Sequence, residues 1–107
     1  MTNITVYTQN DLNIGFKVFG HSGYDDAGKD IVCAGISALT INFINSIEEF
    51  MDDRFVVKTN EEDGMIDFKF EETPSKESQT LIDSLVFGLE NLEKEYKDFI
   101  SLEFREV

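Results

Sequence analysis

The chain has 107 residues, enough for one modest hydrophobic core, so we expect a single domain over residues 1–107. Hydrophobic residues make up 41% of it, and ten residues are Phe, a composition that argues against disorder. Nine basic and 22 acidic groups give a formal net charge of −13. Residues 1–47 hold two Lys and four Asp, so residues 48–107 carry −11 of that total. Such a surface repels phosphates, which argues against direct binding to nucleic acid or an anionic membrane.

The N-terminal residues do not read as a secretory signal, because no basic segment precedes an apolar stretch. No apolar run reaches the roughly 18 residues of a membrane span. A single cysteine cannot form a disulfide within the chain, and we therefore expect a cytoplasmic protein in a reducing environment. The acidic surface would attract a basic partner, although acidity also serves simply to keep a protein in solution.

The first half of the chain predicts a hairpin, a loop and a long helix. Residues 4–7 and 13–19 read as two strands, because apolar residues alternate in the second and residues 9–11 favour a turn. Residues 20–28 form a glycine-rich loop. From about residue 29 to residue 51 the apolar period becomes helical, and so many residues are apolar that we expect the helix to be covered on more than one side. Its main stripe is Val32, Ile36, Leu39, Phe43, Ile47 and Phe50.

The second half predicts another hairpin, a second helix and a final strand. Residues 55–59 and 65–70 read as strands around a polar turn, and residues 99–104 alternate as a fifth strand. Thr73 and Pro74 have the residue types of an N-cap and a first helical position. The order β-β-α-β-β-α-β, with two apolar helices, predicts a two-layer α+β domain with a mostly antiparallel sheet.

The only histidine and the only cysteine lie twelve residues apart, on the loop and at the start of the first helix. At that end, partial positive charge favours the thiolate of Cys33, and a neighbouring imidazole can accept the thiol proton. Main-chain N–H groups there could also serve as an oxyanion hole. On pattern alone, Cys33 is more typical of a small buried core residue than of a nucleophile, and His21 is also typical of a loop residue that makes one structural hydrogen bond or faces solvent.

Two further polar residues share the Cys33 edge of the helix. Asp30 could cap the helix or accept a hydrogen bond from His21, and Ser37 could contact the thiol or bond back to a helix carbonyl. One His beside a few Asp lacks the ligand number and spacing of a zinc site, and we expect no metal. The glycines before Lys29 resemble a phosphate loop only weakly, so we also expect no bound cofactor.

One segment runs from Gly20-His21 through Tyr24 and Gly28 to Asp30-Ile31-Val32-Cys33-Ala34-Gly35-Ile36-Ser37-Ala38-Leu39. It resembles the bacterial ribosomal-processing cysteine protease family, Prp. The resemblance extends over essentially the whole chain in length and order of elements. Two departures stand out: Ser22 occupies a position where that family is expected to have Ala, and Gly35-Ile36 replaces the common Ala-Val.

The resemblance implies an endopeptidase that removes an N-terminal extension from a large-subunit ribosomal protein, cutting after an aromatic residue. Cys33 matches the nucleophile and His21 the base, while Asp30 and Ser37 match supporting positions. The family is homodimeric, and the substrate loop, which is thought to move on binding, would include Gly20, Ser22, Gly23, Tyr24 and Gly28. The alternative that remains is a non-catalytic acidic module that binds a basic ribosomal or ribosome-assembly protein.

Overall fold

The predicted order of elements is confirmed. The computed structural model describes residues 1–26 and 29–107. Over these residues five strands and two helices follow one another as β-β-α-β-β-α-β, the arrangement expected of an α+β domain. Their bounds are β1 (Thr2–Gln9), β2 (Leu12–Phe19), α1 (Ile31–Phe50), β3 (Phe55–Asn60), β4 (Met65–Phe70), α2 (Lys76–Glu95) and β5 (Ile100–Glu106).

The strands form one sheet in the order β3-β4-β2-β1-β5. Three neighbouring pairs are antiparallel, and β5 lies parallel to β1, with Ile100 opposite Thr2 and Glu106 opposite Thr8. The β1–β2 hairpin closes through Asn10 and Asp11, whose φ angles of 52° and 66° are those of the two-residue turn that matches strand twist. The sheet is therefore mostly antiparallel, as predicted.

One face of the sheet carries the core. Alternate side chains of the central strands, such as Val6, Phe16 and Phe68, are fully buried and pack with the apolar faces of both helices. Phe16 and Phe68 stack at 5.4 Å between ring centroids, and Phe43 of α1 meets them edge-on at 5.8 and 5.1 Å. These contacts hold α1 against the sheet, which fixes the position of its N-terminus.

The expectation that α1 is covered on more than one side holds only in part, because α1 packs on the sheet and against α2 but leaves two residues of its predicted stripe exposed. Its Leu39 is 37% exposed and Phe50 is 74% exposed, while Thr40 is buried because its hydroxyl donates to the carbonyl of Ile36 at 2.8 Å. Contrary to the sequence reading, α1 is also long and apolar enough to cross a membrane, by length and composition alone. In the fold it serves as a core helix, buried through Val32, Ile36, Thr40, Phe43 and Ile47.

The start of α2 also differs from the prediction. Ser75, not Thr73, is the N-cap, and its hydroxyl accepts from the N–H of Ser78 at 3.3 Å. Asp53, just before β3, receives the main-chain N–H of Ser75 at 2.6 Å and its hydroxyl at 2.7 Å. This contact between residues far apart in sequence selects Ser75 over the residues that precede Pro74.

Candidate active site

His21 and Cys33 line the same cavity, which has a volume of about 510 Å³. One wall is the edge of α1 that begins at Cys33, and the opposite wall comes from β3, β4 and the turn between them. The α1 wall includes apolar and polar side chains at helical spacing, namely Ile36, Ser37, Ile41, Ile44 and Asn45. The facing wall includes Val57, Thr59, Met65 and Ile66, so most of the cavity is apolar.

Cys33 is the third residue of α1 and is half-buried, with no disulfide partner. Asp30 is the N-cap: one carboxylate oxygen accepts the N–H groups of Val32 and Cys33, each at 3.0 Å. The cap fixes the first turn of the helix and with it the Cα–Cβ direction of Cys33. Of the two roles considered for Asp30, the structure shows the cap, and its carboxylate does not contact His21.

Ser22 joins the nucleophile to the cap. Its main-chain N–H donates to the sulfur of Cys33 at 3.4 Å, and the thiol donates to the Ser22 hydroxyl oxygen at 3.5 Å. The Ser22 hydroxyl donates in turn to the second carboxylate oxygen of Asp30 in a short hydrogen bond. Ser22 is only 3% exposed, and these bonds compensate for burying its polar atoms.

The Asp30 carboxylate is held in its ionised form. Burial alone raises the pKa of Asp30, but hydrogen bonds from the Ser22 hydroxyl and from Cys33 outweigh it and lower the pKa from 3.8 to about 2. The Cys33 sulfur therefore lies close to a helix N-terminus and the Ser22 N–H, and also close to the fixed negative charge of Asp30.

His21 is exposed at the mouth of the cavity, and its partner is a carbonyl. Nε2 lies 3.1 Å from the main-chain carbonyl oxygen of Glu62, in the turn between β3 and β4 (residues 61–64, the β3–β4 turn). Among residues 1–26 and 29–107, no hydrogen bond joins His21 to Cys33. The structure thus brings both groups to one cavity, with the imidazole resting on the turn. The proton transfer expected between them stays a prediction.

The main-chain N–H groups expected to form an oxyanion hole are already used. Those of Val32 and Cys33 donate to the Asp30 side chain, and that of Ala34 donates to the Asp30 carbonyl at 3.0 Å. The N–H of Ser22 donates to the sulfur itself, a partner that an oxyanion could replace. An oxyanion formed next to the sulfur would lie closest to this donor.

The remaining loop residues are fixed to different neighbours. Gly20 donates its N–H to the carbonyl of Asp63 at 2.9 Å, and Gly23 is exposed with a φ of 74°. The N–H of Tyr24 reaches the Ser22 hydroxyl and the Asp30 carboxylate, both at 3.2 Å. Its ring lies 5.7 Å from that of Tyr96 and 5.2 Å from that of Phe99. Gly28, the last of the predicted substrate-loop positions, lies outside the described residues.

Ser37 lies one turn beyond Cys33 on the cavity wall and is exposed. Its main-chain carbonyl accepts from Thr40 at 3.3 Å, and neither hydroxyl contact that the sequence suggested is present among the described residues. In the same part of the chain, no three His, Cys, Asp or Glu side chains converge as a metal site would require.

Sequence reasoning missed two parts of the site. The Glu62 carbonyl is a main-chain group, and nothing in the side-chain pattern distinguishes it from any other carbonyl. The wall residues Ile41 and Ile44 have the pattern of ordinary members of an apolar helix. Their spacing from Cys33, eight and eleven residues along α1, was the available signal, because it places them on the edge that begins at the cysteine.

A thiol at a helix start and an imidazole on the wall of the same apolar cavity are the catalytic groups typical of a cysteine hydrolase. Comparison of the sequence with family models narrows this class. The family described as Cysteine protease Prp matches residues 1–101. The chain belongs to this family and is a cysteine protease.

Individual relatives agree with this assignment. The ribosomal processing cysteine protease Prp of Bacillus subtilis is 29% identical over 103 residues, which cover 92% of each chain. The protein of the same name from Staphylococcus aureus is 28% identical over 86 residues, 80% of this chain and 81% of the relative. A crystal structure of an S. aureus essential ribosomal processing protease Prp with a covalently linked product peptide has the same fold, with a TM-score of 0.93. It is 24% identical and covers 98% of this chain and all of its own.

Proposed function

We propose that this chain is a cysteine endopeptidase that removes an N-terminal extension from a large-subunit ribosomal protein, cutting after an aromatic residue. The observation that carries the proposal is that the only His and the only Cys line one cavity in a chain of a protease family. The names of the relatives support a ribosomal substrate. Membership in a protease family also favours this reading over the non-catalytic binding module.

The cavity suits an extended, apolar stretch of substrate. Its α1 wall runs from Cys33 to Asn45, about 18 Å of helix, which would accompany about five residues of extended chain. The apolar side chains along it, from Ile36 near Cys33 to Ile41 and Ile44 farther along, favour apolar side chains in the substrate. The net charge of −13 would attract a basic ribosomal protein, and at −13 direct contact with nucleic acid is disfavoured.

The reaction begins when His21 removes the thiol proton of Cys33. The thiolate attacks the carbonyl carbon of the scissile peptide bond, and the oxyanion of the tetrahedral intermediate takes the N–H of Ser22. His21 then gives the proton to the leaving amine as the C–N bond breaks, which leaves a thioester on Cys33. Water, deprotonated by His21, hydrolyses the thioester and restores the thiol. Asp30 supports the first turn of α1 throughout, and Ser37 supports the substrate from the cavity wall.

The proposal is tested with a fluorogenic peptide that carries an aromatic residue before the scissile bond and basic residues after it. We expect cleavage by the parent, and a loss of at least about 1000-fold in kcat/KM for both Cys33→Ala and His21→Gln. Ser84→Ala, an exposed substitution on α2, is the matched control and should cleave like the parent. Cleavage by Cys33→Ala at the parental rate would contradict the mechanism.

The specificity is tested separately with peptides that differ only at the residue before the scissile bond. We expect Phe to be cleaved faster than Leu, and Leu faster than Ala, because each loss of apolar area in the cavity weakens transition-state binding by about 1–3 kcal/mol. Equal rates for the three peptides would contradict an aromatic preference and leave the nucleophile assignment intact.

Two further parts belong to the proposal: the protein works in the cytoplasm, which its single cysteine favours, and it is a homodimer, which the family resemblance implies. The exposed apolar side chains of α1, such as Ile31 and Phe50, supply surface that a second copy would cover. Sedimentation velocity at micromolar concentration should give twice the chain mass of 12.2 kDa. A species of 12.2 kDa at every concentration would contradict the dimer.

A further inference from the structure

Two consecutive residues of the histidine segment rest on two consecutive carbonyls of the β3–β4 turn. The N–H of Gly20 donates to the carbonyl of Asp63 at 2.9 Å, and His21 Nε2 lies 3.1 Å from the carbonyl oxygen of Glu62. The turn is closed by its own hydrogen bond, from the N–H of Gly64 to the carbonyl of Glu61 at 3.1 Å. The imidazole is therefore held by a main-chain scaffold and not by a side chain.

The chemistry of this contact determines where the imidazole carries its proton. A carbonyl oxygen can only accept a hydrogen bond, so the ring nitrogen that faces it must be the donor. In a neutral imidazole one nitrogen is protonated and the other is basic. With Nε2 protonated toward Glu62, the lone pair lies on Nδ1, which is then the nitrogen able to take a proton from a thiol.

Gly64 makes this contact sterically possible. Its φ of 60° lies in the left-handed region, and a side-chain carbon there would lie 2.6 Å from the carbonyl oxygen of Gly20. The same carbon would lie 3.1 Å from Cε1 of His21. The main chain of the turn thus passes directly beside the imidazole, and any side chain at position 64 would displace the histidine segment.

We propose that the β3–β4 turn is the third component of the active site. The Glu62 carbonyl orients the His21 imidazole and selects the tautomer protonated on Nε2, which leaves Nδ1 as the base for Cys33. Gly64 is a positioning residue that admits the turn beside the ring. This role is the one that an orienting side chain has in other nucleophile–histidine sites, here taken by the main chain. The inference deepens the proposed function, because it rests on His21 being the catalytic base.

The tautomer can be measured directly, since the chain has one histidine. In ¹⁵N-labelled parent protein at about pH 8, where histidines are normally neutral, long-range ¹H–¹⁵N correlations distinguish the two ring nitrogens. We expect the folded protein to hold essentially the Nε2-protonated form alone, and the urea-unfolded chain to give the mixture of a free imidazole. A folded spectrum that matches the unfolded mixture, or that shows Nδ1 protonated, would overturn the proposal.

The positioning role of Gly64 is tested by Gly64→Ala. We expect kcat on the fluorogenic peptide to fall about 30- to 100-fold with KM within about twofold, and the tautomer ratio to move toward that of the unfolded chain. Asp11→Ala is the matched control: Asp11 has a φ of 66° in the turn at the opposite end of β2. Because Asp tolerates the left-handed region better than Ala, this change strains a turn away from His21, and its kcat should stay within about twofold of the parent.

Different results would contradict the positioning role of the β3–β4 turn and the proposed mechanism. If Gly64→Ala folds and keeps the parental kcat and tautomer, the turn has no positioning role, even when Cys33→Ala is inactive. If Cys33→Ala keeps full activity while the parent holds the Nε2-protonated form, the proposed mechanism fails and the orientation of the ring stands. Should Gly64→Ala not fold, the spectrum of the parent protein alone decides the proposal.

Discussion

The two helices of this domain begin with the same chemistry arranged in opposite order. In α1 the cap is a carboxylate, Asp30, and a serine of the preceding loop, Ser22, donates to it. In α2 the cap is a serine, Ser75, and a carboxylate from a distant segment, Asp53, accepts from it at 2.7 Å. Each network ties an earlier piece of chain to a helix N-terminus, eight residues away in α1 and 22 in α2.

The third residue separates a structural helix start from a reactive one. In α2 it is Ser78, fully buried, whose hydroxyl donates to Asp53 at 2.7 Å. In α1 it is Cys33, half-buried and open to a cavity that His21 also lines. The same capping interactions thus stabilise one helix and, in the other, hold a nucleophile at the wall of a binding site.

The largest effect is expected from making the α1 start resemble the α2 start. Cys33→Ser puts a hydroxyl at the third position of α1, and because a neutral hydroxyl is a far poorer nucleophile than a thiolate, kcat/KM should fall at least about 1000-fold. The free energy of unfolding should change by less than about 1 kcal/mol, since the two side chains are similar in size. Cleavage assays and urea denaturation measure the two quantities. Parental activity in Cys33→Ser would show that the thiol at the third position does not make the α1 start reactive.

Removing the carboxylate at each helix start should separate stability from activity. Asp30→Ala and Asp53→Ala each remove hydrogen bonds at a helix start, and each should lower the free energy of unfolding by about 1–3 kcal/mol. Asp30→Ala should also lower kcat about tenfold or more, because the first turn that carries Cys33 loses its cap. Asp53→Ala should keep kcat within about twofold at a temperature where it is folded. An equal loss of kcat in both variants would mean that activity follows global stability alone.

The pH dependence of stability sharpens the comparison further. The pKa of Asp30 is lowered from 3.8 to about 2, so its ionised form stabilises the fold above 3.8 and this contribution disappears as the pH falls through about 2. The pKa of Asp53 is also lowered, because hydrogen bonds from Ser75 and Ser78 outweigh the effect of burial, which alone raises it. The stability difference between the parent and Asp30→Asn should therefore be largest near neutral pH and shrink between 3.8 and about 2. Urea midpoints at a series of pH values measure it, and a difference that grows with acidity would contradict the assignment.

The smallest effect concerns two glycines where the helices face each other. A side-chain carbon at Gly35 of α1 would meet Leu92 at 3.7 Å, an ordinary contact, whereas one at Gly88 of α2 would meet Leu39 at 3.2 Å. Gly35→Ala should raise the free energy of unfolding by about 0.5–1 kcal/mol through helix propensity. Gly88→Ala should gain less, since Leu39 must give way. Thermal denaturation of both variants measures the order, and a loss of stability in Gly35→Ala would show that the site needs its glycine.

Local patterns were enough to predict the elements and to single out His21 and Cys33, which line one cavity. Alternation placed the strands, the 3.6-residue period placed the helices, and the change of period after residue 28 placed Cys33 at a helix start. At Gly35 a side-chain carbon would meet only the tip of Leu92, at 3.7 Å, so no contact within the described residues requires a glycine there. That glycine is explained by neither packing nor strain.

The features that sequence could not predict are long-range. Thr73 and Pro74 form a reasonable helix start in isolation, and only the contact with Asp53, 22 residues earlier than Ser75, moves the cap to Ser75. Asp30 was one candidate partner for His21, yet its carboxylate accepts from Ser22 instead. This contact depends on the course of a loop that no local pattern encodes. The Glu62 carbonyl carries no side-chain signal at all. These contacts depend on the tertiary fold, which brings separate segments together.

The most direct test of the central claim is to trap the acyl-enzyme. Parent protein is mixed with the aromatic-ended peptide, quenched in acid within one turnover, digested and examined by mass spectrometry. We expect a thioester adduct of the N-terminal peptide fragment on Cys33, absent from Cys33→Ala and reduced in His21→Gln. Cleavage of the peptide with no adduct on Cys33, and with the same rate in Cys33→Ala, would contradict the mechanism.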